Sequence, residues 1–73
     1  MSKKLINAIA EMHEEDAHKL TQELLEKGTK PTEVLDAWRK GMDAIGQRFE
    51  EGVYFLPELM LAGEMMAQIM ELI

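Results

Sequence analysis

The side chains with the greatest capacity for chemistry in this chain lie between His13 and His18. His13, Glu14 and His18 approach the H-E-x-x-H motif of zinc sites, but their spacing is one residue too long. At roughly 100° per helical residue, five steps place the two histidines on different faces, so they cannot share a metal ion. Glu15 and His18 form one Glu-x-x-His pair, a unit that di-iron helical bundles use twice. Because the chain contains a single copy, we interpret this stretch as the solvated, acidic first turn of a helix.

The composition restricts the classes of function and partner. The 73 residues suffice for one small domain, and the absence of cysteine excludes disulfides and thiolate metal sites. A formal charge of −6 disfavours binding to nucleic acid and to anionic membranes. The chain has no apolar run near the roughly 20 residues of a membrane span, no Ser-His-Asp set and no phosphate-binding loop. We expect no signal peptide, because Asn7 and Glu11 interrupt the first apolar run. We expect a cytoplasmic domain without catalytic residues or metal ligands, binding neither nucleic acid nor membrane.

The first half of the chain has the periodicity of two short amphipathic helices. The first is predicted from Lys4 to Met12, with Ser2 as a candidate N-cap, and the second from about Glu14 to Lys27. Gly28 supplies the left-handed residue that commonly ends a helix. The residues expected to face the core are Leu5, Ile6, Ile9, Met12, Ala17, Leu20, Leu24 and Leu25.

A third, longer helix begins at Pro31, which suits the first helical turn, and stops at Glu50-Glu51-Gly52. Its apolar residues recur at steps of three and four and predict one continuous buried seam: Leu35, Trp38, Met42, Ile45 and Phe49. Gly41 and Gly46 each cost such a helix roughly 1 kcal/mol relative to alanine. Either a neighbouring backbone or ring approaches them closely, or both glycines are simply tolerated.

The fourth helix, opened by Pro57 and extending toward Ile73, is apolar over most of its surface. Its polar side chains after Glu58 occupy one narrow strip, Glu64, Gln68 and Glu71. We predict that one side is buried in the bundle and that another contacts something else. The methionines at 60, 65, 66 and 70 suit an adaptable contact surface, although such a stripe is more often plain core. Together the four helices predict an all-α four-helix bundle.

At the junction of the last two helices the chain resembles the N-terminal helical domain of cobalamin-binding proteins. That family includes methionine synthase, the corrinoid methyl-carrier proteins and cobalamin-based light regulators. The matching pattern is G-M-D-x-I-G-x-x-F-x-x-G from Gly41 to Gly52, followed by F-L-P-E-L from Phe55 to Leu59. Upstream, E-L-L-E-K-G-x-x-P-x-E-V from Glu23 to Val34 also fits. One departure is the break between the first two helices, which is Met12-His13-Glu14 where the family usually has Gly-Asp.

The resemblance implies a cap over the upper face of the corrin ring. The contacts above the cobalt-bound methyl group would fall on Phe49 and Leu56, with Leu59 and Met60 flanking the ring and Gly63 on the same face. Light regulators carry tryptophan, glutamate and histidine at the positions of Phe49, Leu59 and Met60, so this chain looks like the methyl-carrier branch. The cofactor would be bound only together with a Rossmann-like domain, which supplies the lower axial histidine and is absent from residues 1–73.

Two hypotheses about function remain open at this point. In the first, residues 1–73 are the cap domain of a corrinoid methyl carrier that works with methyltransferase subunits. Phe49, Leu56 and Met60 would shield the methyl group because apolar walls exclude water and offer no proton. In the second, the chain is a small interaction module without a cofactor, which self-associates through its fourth helix.

Overall fold

The computed structural model describes residues 3–72, which form four helices and no strand. The helices are α1 (Lys3–Ala10), α2 (Glu14–Glu26), α3 (Pro31–Glu50) and α4 (Leu56–Met70). This arrangement confirms the predicted all-α four-helix bundle. The proposed N-cap at Ser2 and the apolar residue Ile73 lie outside the described residues.

Glycines in the left-handed conformation follow α2 and α3, at the two positions where the sequence predicted that these helices stop. Gly28 ends α2 with a φ of 92°, and Gly52 ends α3 with a φ of 81°. The predicted end of α1 is wrong, because Met12 has a φ of 62° and lies in the turn beyond the helix. The N–H of His13 donates to the carbonyl of Ala8 at 2.8 Å and closes this turn. Met12 thus stands in a conformation that glycine adopts more readily, at the break where the cobalamin-binding family usually has Gly-Asp.

The helix α4 starts one residue before Pro57 and ends at Met70 instead of extending toward Ile73. Its N-terminus is fixed by the side chain of Glu58, whose Oε1 accepts a hydrogen bond from the backbone N–H of Phe55 at 2.6 Å. After Met70 the N–H of Leu72 reaches back to the carbonyl of Ile69 at 3.0 Å. Within residues 3–72, no helix has the length and apolarity needed to cross a membrane.

A buried polar link in the core joins α2 to α3. The indole N–H of Trp38 donates to the hydroxyl of Thr21 at 2.9 Å, and that hydroxyl donates to the carbonyl of Ala17 at 2.8 Å. Trp38 and Thr21 are almost completely buried. Buried polar atoms are normally hydrogen-bonded, and both the indole N–H and the hydroxyl have a partner inside the protein. The predicted core face of α2 needs a correction, because Thr21 is buried while Leu20, Leu24 and Leu25 are half-buried.

The buried face of α3 is rotated relative to the predicted seam. Trp38 and Ile45 are buried as expected, whereas Leu35 and Met42 are half-buried and Phe49 is 41% exposed. Three smaller residues complete the buried face: Val34, Ala37 and Gly41. The physical reason is the close packing of α1 on α3, which small side chains allow.

Gly41 marks the closest approach of α1 and α3. An ideal Cβ on Gly41 would lie 2.6 Å from Cγ2 and 2.7 Å from Cβ of Ile9. Close approach at Gly41 is therefore confirmed, but the approaching group is the aliphatic side chain of Ile9 and not the backbone or ring that was predicted. At Gly46 the same construction meets no described atom within 4 Å, so close approach is the wrong explanation there.

Candidate functional site

The helix α4 has two apolar faces on roughly opposite sides. One face is buried in the core and consists of Ala62, Met65 and Ile69. Another set of apolar residues is exposed at positions separated by four, three, four and three residues: Leu56, Met60, Gly63, Ala67 and Met70. At about 100° per residue these five positions fall within an arc of roughly 80°. We call this set the exposed stripe.

The exposed stripe consists largely of big side chains in contact with solvent. Met60 is 69% exposed, Leu56 is 62% exposed and Met70 is 54% exposed. The second apolar side predicted for the fourth helix is therefore exposed in the structure, and what it contacts stays a prediction. The methionines divide between the two faces, since Met65 is core while Met60 and Met70 are on the surface. A contiguous apolar surface of this kind usually marks a binding site.

The loop between α3 and α4 adds more exposed apolar residues at one end of the stripe. Val53 is 60% exposed and Phe55 is 66% exposed, and Phe49 precedes them in the last turn of α3. Phe49 follows the buried Ile45 by one helical turn, so it continues the core-facing side of α3 beyond the last buried layer. We call Phe49, Val53, Phe55 and Leu56 the loop cluster.

Four of the five residues assigned to a ligand face are exposed in this region, namely Phe49, Leu56, Met60 and Gly63. The fifth, Leu59, is half-buried and packs against the core, so its side chain is only partly available. The assignment of the ligand face left out four exposed residues, Val53, Phe55, Ala67 and Met70, although Met70 was among the methionines considered suitable for a contact surface. Continuing the steps of four and three from Leu56 would have found the last two.

A polar cluster fastens the loop to the end of α1. The carbonyl of Ala10 accepts hydrogen bonds from Nη1 of Arg48 at 2.7 Å and from the hydroxyl of Tyr54 at 2.6 Å. Nη1 of Arg48 also donates to the Tyr54 hydroxyl at 3.0 Å, and Nη2 lies 2.8 Å from a carboxylate oxygen of Glu11. The hydrogen bond to Glu11, followed by the one to Tyr54, raises the pKa of Arg48 above its ordinary value. Arg48 therefore stays cationic at every physiological pH.

The acidic start of α2 has the geometry of a solvated surface. His13 and Asp16 are exposed, with Nδ1 and Oδ2 at 3.9 Å, and Glu15 is exposed as well. His18 is half-buried, and no described group is bonded to its buried Nε2 atom. In the described part of the chain, no three His, Asp or Glu side chains are grouped so that they could hold a metal ion. The candidate binding site is the apolar surface formed by the exposed stripe and the loop cluster.

A small helical bundle that exposes a stripe of large apolar side chains has the surface typical of domains that cover a ligand or bind a partner. Residues 1–73 match the family model described as B12 binding domain, and the chain belongs to this family. The predicted family relationship is therefore confirmed. No solved structure matches the chain.

The relatives of the chain are corrinoid proteins. It is 38% identical to Monomethylamine corrinoid protein 1 of Methanosarcina mazei over 71 residues, which cover 96% of this chain and 33% of that protein. It is 37% identical to Trimethylamine corrinoid protein 1 of Methanosarcina acetivorans over 68 residues, covering 92% and 32% of the two chains. The chain thus spans about a third of the length of the curated relatives that it matches.

Proposed function

We propose that this domain caps the upper face of a corrin ring in a methyl-carrier protein. Phe49 and Leu56 would lie above the cobalt-bound methyl group, with Met60 and Gly63 against the ring and the exposed edge of Leu59 beside it. The observation that carries this proposal is the exposure of large apolar side chains where α3 meets α4, with Met60 69% exposed and Leu56 62% exposed. Membership of the B12 binding domain family supports it.

The residues at this face fit a role in shielding. Phe49, Leu56 and Met60 carry no acidic proton. Because they are exposed apolar groups, covering them with a flat, largely apolar surface lowers the free energy of the complex. When bound, the corrinoid supplies a cobalt centre that accepts and donates a methyl group. The side chains of this domain would exclude water from that centre between transfers.

The remainder of the methyl carrier is part of the same proposal. Residues 1–73 would be one domain of a longer protein, and a Rossmann-like domain of that protein would hold the cofactor. The relatives named for monomethylamine and trimethylamine support a carrier that exchanges its methyl group with methyltransferase subunits. The chain covers about a third of those relatives. The choice of methyl donor and acceptor would therefore be a property of the whole protein and not of this domain.

The test uses a two-domain protein in which this chain replaces the matching third of Monomethylamine corrinoid protein 1. Phe49→Ala and Leu56→Ala are expected to accelerate photolysis of bound methylcobalamin several-fold, because the cap then leaves the methyl group open to solvent. Met70→Ala is the matched control, since Met70 is also exposed but lies about 21 Å from Leu56 along α4 and is not among the residues proposed to contact the ring. Photolysis rates that do not change in Phe49→Ala and Leu56→Ala would contradict the proposal.

Without a cofactor domain, we propose that the exposed stripe mediates a homodimer. Its apolar residues extend along the whole of α4, from Leu56 to Met70. A twofold contact pairs identical surfaces and is the commonest way to cover such a patch. The charge of −6 opposes association only weakly, because the screening length at physiological salt is about 8 Å.

A further inference from the structure

The carbonyl of Ala10 is the point at which three separate parts of the chain meet. It belongs to the last turn of α1, where carbonyl groups have no partner within the helix. Its two donors, Arg48 and Tyr54, lie 38 and 44 residues further along the chain. These bonds are therefore tertiary contacts, and they join the end of α1 to the end of α3 and to the following loop. We call Ala10, Glu11, Arg48 and Tyr54 the latch.

The hydrogen bonds of the latch form one connected set. The Tyr54 hydroxyl accepts a hydrogen bond from Arg48 and donates one to the carbonyl of Ala10, so it acts as both acceptor and donor. The guanidinium of Arg48 stands at the negative end of the α1 dipole and has Glu11 as an ion-pair partner. It also lies over the ring of Tyr54, 5.5 Å from the centroid.

The latch residues adjoin the loop cluster in the sequence. Arg48 directly precedes Phe49, and Tyr54 directly precedes Phe55 and Leu56. The backbone between them is folded back, since the N–H groups of Val53 and Tyr54 donate to the carbonyl of Arg48 at 2.8 and 3.2 Å. Movement of Arg48 or Tyr54 away from Ala10 would consequently displace the exposed residues on either side of the loop.

We propose that Arg48 and Tyr54 are positioning residues that hold the segment 49–56 against α1, so that the loop cluster presents a fixed surface to the corrin ring. The inference rests on the proposed function and deepens it, because it assigns a role to polar residues that do not touch the cofactor. An apolar surface that is already ordered binds without the entropy cost of ordering a loop. The end of α1 serves as the anchor, although α1 contributes none of the loop cluster.

The first experiment measures amide hydrogen exchange in this chain by NMR, without any cofactor. Tyr54→Phe, and Arg48→Met combined with Tyr54→Phe, remove one or both donors to Ala10. The backbone amides at positions 53 and 54 are expected to exchange at least about tenfold faster relative to the buried α3 amide of Ile45. Should loop and α3 amides accelerate by the same factor in Tyr54→Phe, the loop is not held by the latch and the proposal is overturned.

The control for the exchange experiment is Thr21→Val, which breaks the buried link to Trp38 far from the loop. Its loss of stability is expected to accelerate exchange throughout the chain without a selective effect on Val53. A selective effect in this variant would show that the loop loosens while the latch is intact, and it would overturn the proposal.

The second experiment separates this inference from the proposed function in the two-domain protein. If Phe49→Ala and Tyr54→Phe both accelerate photolysis of bound methylcobalamin while Thr21→Val does not, the positioning role is supported. Acceleration in Phe49→Ala alone, with the loop loosened in Tyr54→Phe, would overturn the inference and leave the cap function intact. No acceleration in either variant would overturn the cap function, and with it the inference.

Discussion

The backbone of Gly41 in α3 packs directly on the side chain of Ile9 in α1. A methyl group placed on Gly41 would come within 2.7 Å of Cβ of Ile9, an atom held firmly by the α1 backbone. Because Ile9 has no exposed surface, its side chain cannot shift without moving against other parts of the core. This contact sets the distance between the two helices that the latch also connects.

Alanine substitutions at the two glycines of α3 are expected to change stability in opposite directions. Gly41→Ala should destabilise the protein, because overpacking typically costs about 1–3 kcal/mol and exceeds the propensity gain of roughly 1 kcal/mol. Gly46→Ala should stabilise it by about 0.5–1 kcal/mol, since its Cβ meets no described atom within 4 Å. Urea denaturation followed by circular dichroism measures both. Equal effects of the two substitutions would show that Ile9 yields without cost.

The hydrogen bond from Trp38 to Thr21 is expected to contribute measurably to stability. Thr21→Val leaves the buried indole N–H without a partner, and such a loss costs about 1–3 kcal/mol. Thr32→Val is the matched control, because Thr32 is exposed at the start of α3. The difference in unfolding free energy between the two variants, measured in urea, gives the contribution. A value near zero would mean that Trp38 finds another acceptor or a water molecule.

The isolated chain is expected to bind methylcobalamin weakly. It offers one apolar face, while the proposed axial ligand and the pocket for the nucleotide tail belong to a second domain. Titration of the chain with methylcobalamin should therefore produce no saturating change in the visible spectrum at micromolar concentrations. The two-domain protein is the positive control and should saturate. Saturation by the chain alone would show that residues 1–73 contain a complete site.

Self-association through α4 predicts a specific effect of a charge placed on the exposed stripe. Met60→Glu should shift the chain toward monomer without unfolding it, because a twofold contact would bring two carboxylates into an apolar interface. Gln22→Glu adds the same charge at an exposed position of α2 and should leave association unchanged. Sedimentation velocity measures both variants. An unmodified chain that sediments as a monomer at high micromolar concentration would contradict the proposed dimer.

Local stereochemistry explains why the helices could be found from the sequence. Gly28 and Gly52 have the left-handed conformation, and Pro31 and Pro57 stand in the first turns of their helices. These preferences depend on a residue and its immediate neighbours. Met12 shows where such signals end, because it occupies a left-handed position that its side chain does not favour. The linear motif from Gly41 to Leu59 likewise indicated the family relationship.

Tertiary contacts decided which side of each helix is buried and which polar residues hold the bundle together. Periodicity placed Phe49 in the seam of α3. It did not distinguish Met60 from Met65, yet only Met65 is buried in the core. The position of the neighbouring helix determines this choice. The partners of Trp38, Arg48 and Tyr54 lie 17, 38 and 44 residues away, so no local pattern indicates them. The sequence by itself determined the four helices, the family and most of the exposed apolar residues that are proposed to face the ligand, because these depend on residues within a few turns. Only the folded chain determined the tight contact at Gly41 and the latch at Ala10, because both require side chains that are distant in sequence to meet.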